Sequence, residues 1–586
     1  MKAAAALFAC LALQAACLEL KDREPPMCKT TADCDSGEIC EENVCWGNPP
    51  AGAIAAVILP PSERTDLVSR ELTVLPISGE GWIDDMHLDT AVSFKGRLQA
   101  LCDLSCDGRM LGGKIEIMRP SLFPGGPGFR KVITVEDESF ELKVPATRPG
   151  EPLYTITVTP AGREAPGAGT STIPQQVPPL QVVRELKTDV TGEILELGGL
   201  TLPKITGTLT SVGGAFLANY RVAAVGRWAA DQAPTEVSSV DFTGTDGQFE
   251  IKLSRNLVGN VELVARPFGL PPRPELHLGG LPGQRDTLGR VLTLPGTAQG
   301  EIPVDVVVDH KETNGEIARV GGSRVIIAAS STDGGGVTTR FSAEGITSDD
   351  GVAHLKLVNI PALLNGYRMS IIPPAGSQAA ALFDKPYQVQ AATQQRLGTR
   401  IAITGQVHDA SGETLEGVSV TARPAVRFQW SLEPAAQTFL GEIPAPTVTT
   451  SHNGEFVMFV DHALPDGSGA PGATVWGSYD LTFEPTMKSR MPLWMKTGFE
   501  LPRDDAQSTA ALGAMYLPDA AYVRGVIFDG ENARVEGAEV KLYRVQDDSS
   551  LCMETRFEPM SCPIPPLLLG RAISDDDGVA RLTLPR

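Results

Sequence analysis

Most of the chain consists of short stretches in which apolar and polar residues alternate, separated by turns centred on Gly, Asn or Asp. The segment Asp246-Gly-Gln-Phe-Glu-Ile-Lys-Leu253 is representative: a two-residue turn signal, then every second side chain apolar. Glycine reaches positive φ without steric cost, and a period of two buries one face of a strand, so the pattern predicts a strand entered through a tight turn. The same marker recurs at Asp137–Val144, Asp350–Leu357, Asn453–Val460 and Asp577–Leu584, with Glu138 where the other four have Gly. Closing strands follow at Tyr154–Pro160, Val261–Pro267, Tyr367–Pro373 and Tyr479–Pro485. Alternating residues then begin again around Leu197-Gly198, Leu288-Gly289, Leu397-Gly398 and Leu512-Gly513. Upstream of the markers, Gly405 to Val420 matches Gly525 to Val540, with the glycine pairs Gly405/Gly417 and Gly525/Gly537 equally spaced. The third unit has Ile302-Pro303-Val304 in place of the opening glycine. No amphipathic helix stands out.

Five units of this kind predict an all-β fold of tandem antiparallel two-sheet sandwiches. The boundaries read as 1–16 signal peptide, 17–50 linker and Cys-rich knot, 51–203, 204–298, 299–399 and 400–519 as four sandwich repeats, and 520–586 as a partial fifth. The fifth unit lacks its closing and final strands, while residues 53–61 and 86–94 look like a closing strand and a final strand without partners. Divergent first and last caps are the preferred reading. The other reading has the N-terminal segment completing the last repeat, within one chain or between two.

The order G-x-V-x-(D)-x-x-G-x-x-(L/V)-x-G-(A/V)-x-V, then D-G-x-F-x-L, then Y-x-L-x-V-x-P resembles the carboxypeptidase regulatory-like domain. That is a transthyretin-like β-sandwich, close to the Cna B-type modules of surface proteins. The resemblance covers most of residues 90–586 and implies spacers, adhesive stalks or glycan-binding units; fold alone does not choose among them.

Residues 1–16 carry Lys2, an apolar run from Ala3 to Leu13, and Gln14-Ala15-Ala16 before Cys17, the layout of an export signal. With a cysteine after two alanines the segment resembles a bacterial lipoprotein signal, which implies lipidation of Cys17 and attachment to the membrane through that lipid. Gln14 stands where the family prefers Leu. Leu18 rather than Asp after Cys17 implies the outer membrane, with the protein periplasmic or at the cell surface. Cys28, Cys34, Cys40 and Cys45 lack the C-x2-C pairs of a zinc ribbon and read as a small disulfide knot with three possible connectivities. This segment resembles the knots near the start of many myxobacterial surface lipoproteins. Cys102 with Cys106 and Cys552 with Cys562 make two further local pairs, and an even count in local pairs points to an oxidising compartment.

The formal net charge of -21 argues against a nucleic-acid partner, which needs a basic face. His452-Asn-Gly-Glu455 spells the H-x-x-E of zinc carboxypeptidases but aligns with Thr245-Asp246-Gly247-Gln248, so it reads as a turn. The acidic turns at Asp349-Asp350-Gly351 and Asp575-Asp576-Asp577-Gly578 lack the alternating ligands of a calcium loop. No Lys, Asn and Glu trio suited to an isopeptide bond recurs, and no metal, cofactor or catalytic residue is expected. Trp430, Trp476 and Trp494 of the fourth repeat are the candidates for stacking on sugar rings, against the simpler role of capping its core. The expectation is a non-enzymatic, lipid-anchored envelope rod with a structural or adhesive role. A carbohydrate-binding surface lipoprotein of a polysaccharide system is the alternative, with surface polysaccharide or envelope proteins as possible partners.

Overall fold

The computed structural model describes residues 28–84, 86–101, 111–136, 139–162, 176–199, 201–269, 272–294, 300–312, 315–432, 436, 440, 445–465, 473–486, 489–504, 507–545 and 566–586. The export signal, Cys10, Cys17, Cys102, Cys106, Cys552 and Cys562 lie outside the described residues. The regular structure described is almost entirely strand, and no helix there is long and apolar enough to cross a membrane.

Each module is two packed sheets. In module 4, for instance, the opening strand Ile401–His408 lies between the marker strand Glu455–Val460 and the final strand Thr509–Tyr516. The facing sheet runs Thr447–Thr449, Ser419–Pro424, Ser478–Glu484, Trp494–Glu500. The marker strand is antiparallel to the opening strand, but the final strand is parallel to it. The same parallel pair occurs in all five modules, which departs from a purely antiparallel sandwich. Parallel neighbours need a crossover, and here the facing sheet supplies it.

The marker turn shows why its glycine is required. Gly247, Gly351, Gly454 and Gly578 have φ between 66° and 73°. Their carbonyls accept from Leu209, Val308, Val407 and Ile527 of the opening strands at 2.7–2.9 Å. A Cβ on Gly454 would lie 2.5 Å from the Val407 carbonyl oxygen. Three residues before each of these Asp-Gly or Asn-Gly pairs sits a buried hydroxyl that the pattern of apolar residues does not reveal. Thr243, Thr347, Thr450 and Ser574 donate to the carbonyls of Leu217, Val320, Leu415 and Val535, each at 2.7 Å. Each also accepts from the amide three residues further on, at Tyr220, Ser323, Val418 and Ala538. One hydroxyl thereby satisfies two backbone groups that would otherwise be buried without partners. The repeated aspartate after the opening strand also serves a turn: Asp409 Oδ1 accepts from Glu413 N, and Asp529 Oδ1 from Ala533 N.

The closing-strand tyrosines reach back across the sandwich. Tyr154, Tyr367 and Tyr479 donate to the carbonyls of Pro145, Val358 and Asp461 at 2.7–2.9 Å. Burial raises all three phenol pKa values, that of Tyr367 to about 12, so they remain donors at any physiological pH.

A second repeated device is a slot in the opening strand. Gly96, Gly207 and Gly405 pair with Phe140, Phe249 and Phe456 of their marker strands, and each ring occupies the space a Cβ would take. Beside each slot the parallel strand bulges. The bulge glycines are Gly192 in module 1 and Gly289 in module 2, so Leu197-Gly198 is not the counterpart of Leu288-Gly289; it pairs with Ala100 and Leu101, further along the strand. In module 3, pairing with the marker strand puts Val306, not Ile302-Pro303-Val304, at the slot position. Opposite it stands Ala353, so volume has moved from one strand to the other. There the register is regular, and Leu397 lies at the strand end.

The fifth module is complete, and the preferred reading of divergent caps is overturned. Ile54–Leu59 lies between Glu539–Arg544 and Arg70–Leu72, the closing-strand position, and Trp82–Ile83 runs parallel to Ala520–Val526, the final-strand position. Ile54, Ile58, Ile83, Met86 and Leu88 share one core with Val523, Val540, Leu542 and Leu582. Met86 fills the Gly525 slot that phenylalanine fills elsewhere. The unit expected at 51–203 therefore divides: 54–88 belongs with 520–585, and module 1 opens at Val92–Leu101. Residues 86–94 split the same way. Because module 5 joins module 1 on one side and module 4 on the other, the modules form a closed circuit rather than a rod.

Candidate functional site: the clasp module and its junctions

Charged and aromatic side chains concentrate where the circuit is closed. Two disulfides, Cys28–Cys40 and Cys34–Cys45, staple the hairpin Glu38–Glu41/Val44–Gly47, which selects one of the three connectivities. The hairpin docks on module 5 through Arg524. This residue is 3% exposed, and its guanidinium lies 4.5 Å from the Trp46 ring centre and 4.3 Å from that of Trp82. It pairs with Glu41 and, at 3.6 Å, with Glu42. Arg586 adds contacts to Asp35 at 2.7 Å and Glu38 at 3.0 Å. A planar cation between two indoles is held by stacking on both faces, which an ammonium group would not reproduce.

Inside the clasp, Arg64 of the N-terminal segment meets Asp529 at 3.1 Å. Burial opposes ionisation of Asp529, but the amides of Ala533 and Glu531 and the Arg64 guanidinium outweigh it and hold the carboxyl below its usual range. Toward module 1, the Glu71 carboxylate accepts from Ser121 Oγ and from the amides of Leu122 and Gly128 at 2.8–3.1 Å. Ala55 and Val57, on the outer face of the closing strand, pack on Phe123.

The other junctions are also built in. Modules 2 and 3 share a nine-stranded sheet, joined where Glu275–Leu278 pairs with Val337–Arg340. Module 3 meets module 4 at the buried pair Arg400–Asp461, 3.2 Å apart, with Arg400 also donating to the carbonyls of Pro374 and Ser377. Module 4 meets module 5 through Glu484–Arg571 and through the Tyr522 hydroxyl, which donates to Arg490 O at 3.2 Å. Ser254 Oγ donates to Pro179 O across the junction of modules 1 and 2.

The sequence candidates for ligand chemistry do not converge. Trp430 lies on the short helix Val426–Ser431, Trp476 packs edge-on against His462, and Trp494 pairs opposite Phe483 at the far end of the closing strand. Most of that strand separates Trp476 from Trp494, about 20 Å at ~3.3 Å per residue, so the three do not form one stacking platform. His452 lies in the marker turn, where Ser451 N donates to Glu455 O. Of the acidic turns, Asp575 spends its carboxylate on the amides of Asp577 and Val579 and on Arg581. A cleft of about 1160 Å³ between modules 2 and 3 is lined by charges, several of them paired, as in Arg266–Glu275 and Arg368–Asp384.

No family model matches the chain, and no curated protein matches it. Among solved structures it is similar to the Bacillus anthracis TIE protein at 10% identity, covering 73% of this chain and 74% of that one, with a TM-score of 0.13. A streptococcal ancillary pilin matches at 12% identity, over 53% of this chain and 99% of that one, with a TM-score of 0.17. Two B repeat units of the collagen-binding protein Cna of Staphylococcus aureus match at 10% identity, over 72% and 99%, with a TM-score of 0.12. Likenesses this slight assign no activity, and the functional reading rests on the molecule itself.

Proposed function

We propose that the protein is an exported, lipid-anchored component of a bacterial envelope with a structural or adhesive role. The observation that carries this reading is the use made of its buried charges. Arg400–Asp461 seals a junction between modules, the Arg524 stack binds the disulfide knot to the clasp, and Arg64–Asp529 ties the two halves of the clasp together. At these three places charged side chains hold parts of the circuit in fixed relation, as a scaffold requires. The disulfide knot suits an oxidising exterior, and Cys17 lies eleven residues before Cys28, so a lipid there would set the clasp module nearest the membrane.

Cell fractionation with and without a lipoprotein signal-peptidase inhibitor tests the anchoring. The full-length protein should enter the membrane fraction and accumulate as precursor under the inhibitor, and Cys17→Ala should release it. A wild-type product that is soluble and indifferent to the inhibitor would refute the anchor.

A further inference from the structure

We propose that residues 54–88 are an exchangeable segment: the strands that complete module 5 of their own chain also complete module 5 of a second copy, linking chains through the clasp. The contacts that hold the segment to 520–585 are the six register pairs from Ile54↔Arg544 to Leu59↔Glu539, the parallel pairing of Trp82–Ile83 with Arg524–Gly525, the shared core, and Arg64–Asp529. None of these contacts depends on which chain supplies the segment.

The molecule also has a natural line of parting. Residues 54–88 are fixed to module 1 by Glu71 on Ser121, Leu122 and Gly128 and by Phe123 on Ala55 and Val57, and the adjoining Asp89 meets Arg148 at 2.7 Å. The disulfide knot is continuous in sequence with 54–88, so its contacts with Arg524 and Arg586 cross the parting line and are exchanged together with the segment. The other half, 520–585, is fixed to module 4 by Arg571–Glu484 and Tyr522–Arg490. Opening the clasp therefore parts two bodies along this face while they stay linked through modules 2 and 3.

Once opened, the 520–585 half would present two uncovered strand edges and a face of Val523, Val540, Leu542 and Leu582, all now 1% exposed or less. Such a surface demands cover, and the segment shaped to it is 54–88 of the same chain or of another copy. Closure within one chain is favoured by effective concentration, in the millimolar range for tethered partners, so exchange should appear when chains are crowded or briefly opened. Repeated in one direction, the contact is head-to-tail and builds open chains or closed rings of copies.

The test uses full-length protein with Leu59→Cys on an isotopically light chain and Glu539→Cys on a heavy chain, at facing register positions. The two are mixed, opened in moderate urea, returned to buffer at high concentration and oxidised. A chain carrying both cysteines serves as the reference for closure within one molecule. Exchange predicts a light–heavy 59–539 crosslinked peptide, recovered from species of at least twice the monomer mass. A crosslink in the double variant with none between the mixed single variants would overturn the proposal. So would unmodified protein that returns wholly monomeric from the same cycle at high concentration, which covers failure of the cysteine variants to fold.

Discussion

Met86 offers the sharpest test of how the fifth module is built, because it does there what phenylalanine does in three other modules. Its side chain is 1% exposed, and its Cε lies 2.3 Å from where a Cβ on Gly525 would be. Met86→Ala empties that slot, and truncations of this kind cost about 2–5 kcal/mol. Gly525→Ala overfills it: the new methyl also meets the Cβ and carbonyl oxygen of Ile83 at 2.9 Å, and overpacking costs about 1–3 kcal/mol. With both changes the methyl enters space the methionine has left. The double variant should therefore cost less than the sum of the two, by about 0.5–3 kcal/mol as for residues in contact. Hydrogen exchange read by mass spectrometry is the assay. In Met86→Ala, peptides covering 54–59 and 539–544 should exchange faster together, by about 30-fold or more at 1.4 kcal/mol per tenfold. Peptides of modules 2 and 3 should not change. Strictly additive costs, or a loss of protection at 54–59 that leaves 539–544 unchanged, would refute the view that these strands form one cooperative unit across the length of the chain.

Three further outcomes follow from the same geometry. Thr450→Val keeps the side-chain shape but strands Leu415 O and Val418 N without their partner, so it should lower stability by about 1–3 kcal/mol in denaturant titration, while Thr450→Ser should be nearly neutral. Arg524→Lys should release the disulfide hairpin from module 5, seen as a change in Trp46 and Trp82 fluorescence and faster reduction of Cys28–Cys40 by thiols, with Trp494 unaffected. Asp529 has a depressed native pKa, so its contribution to the clasp is complete above its unfolded value of about 4 and is lost as pH falls through the native one. Exchange at 54–59 should therefore rise in acid below about pH 4, and Asp529→Asn should flatten that dependence; an unchanged acid profile in the variant would refute the assignment.

What the sequence displayed and what it concealed both have physical reasons. The marker turns were legible because an Asp-Gly or Asn-Gly pair before alternating residues reports a backbone requirement, and Gly351, Gly454 and Gly578 meet it with positive φ. The hydroxyls at Thr243, Thr347, Thr450 and Ser574 were equally regular, three residues before those glycine turns, but serine and threonine are common near turns and only the structure shows that each serves two backbone groups. Leu-Gly misled because the dipeptide recurs while the role does not: Leu288-Gly289 and Leu512-Gly513 lie at the bulge beside the slot, whereas in module 1 Gly192 does so and Leu197-Gly198 pairs further along the strand. The sugar-stacking idea drew on three tryptophans of one repeat, but membership of a repeat does not place side chains on one face.

The hardest element to assign was Ile54–Leu59, and the reason lies in its surroundings. A strand with one wet face alternates; this one reads Ile-Ala-Ala-Val-Ile-Leu because both faces are covered, Ile54, Ala56 and Ile58 by the module 5 core, Ala55 and Val57 by Phe123 and Tyr543. A strand buried on both sides must have partners on both sides, and the neighbouring residues 67–88 supply only part of that cover. Its continuous apolar character thus already implied a distant partner. Its best-matched partner was a half-module that had no closing strand of its own. The same double burial makes this strand the most demanding element to leave uncovered, so the integrity of the whole circuit depends on a contact between residues at opposite ends of the sequence. The clasp is complete only when both Ile54–Leu59 and Glu539–Arg544 are in place, and a contact of such long sequence separation is slow to form, which leaves it open to capture by another copy.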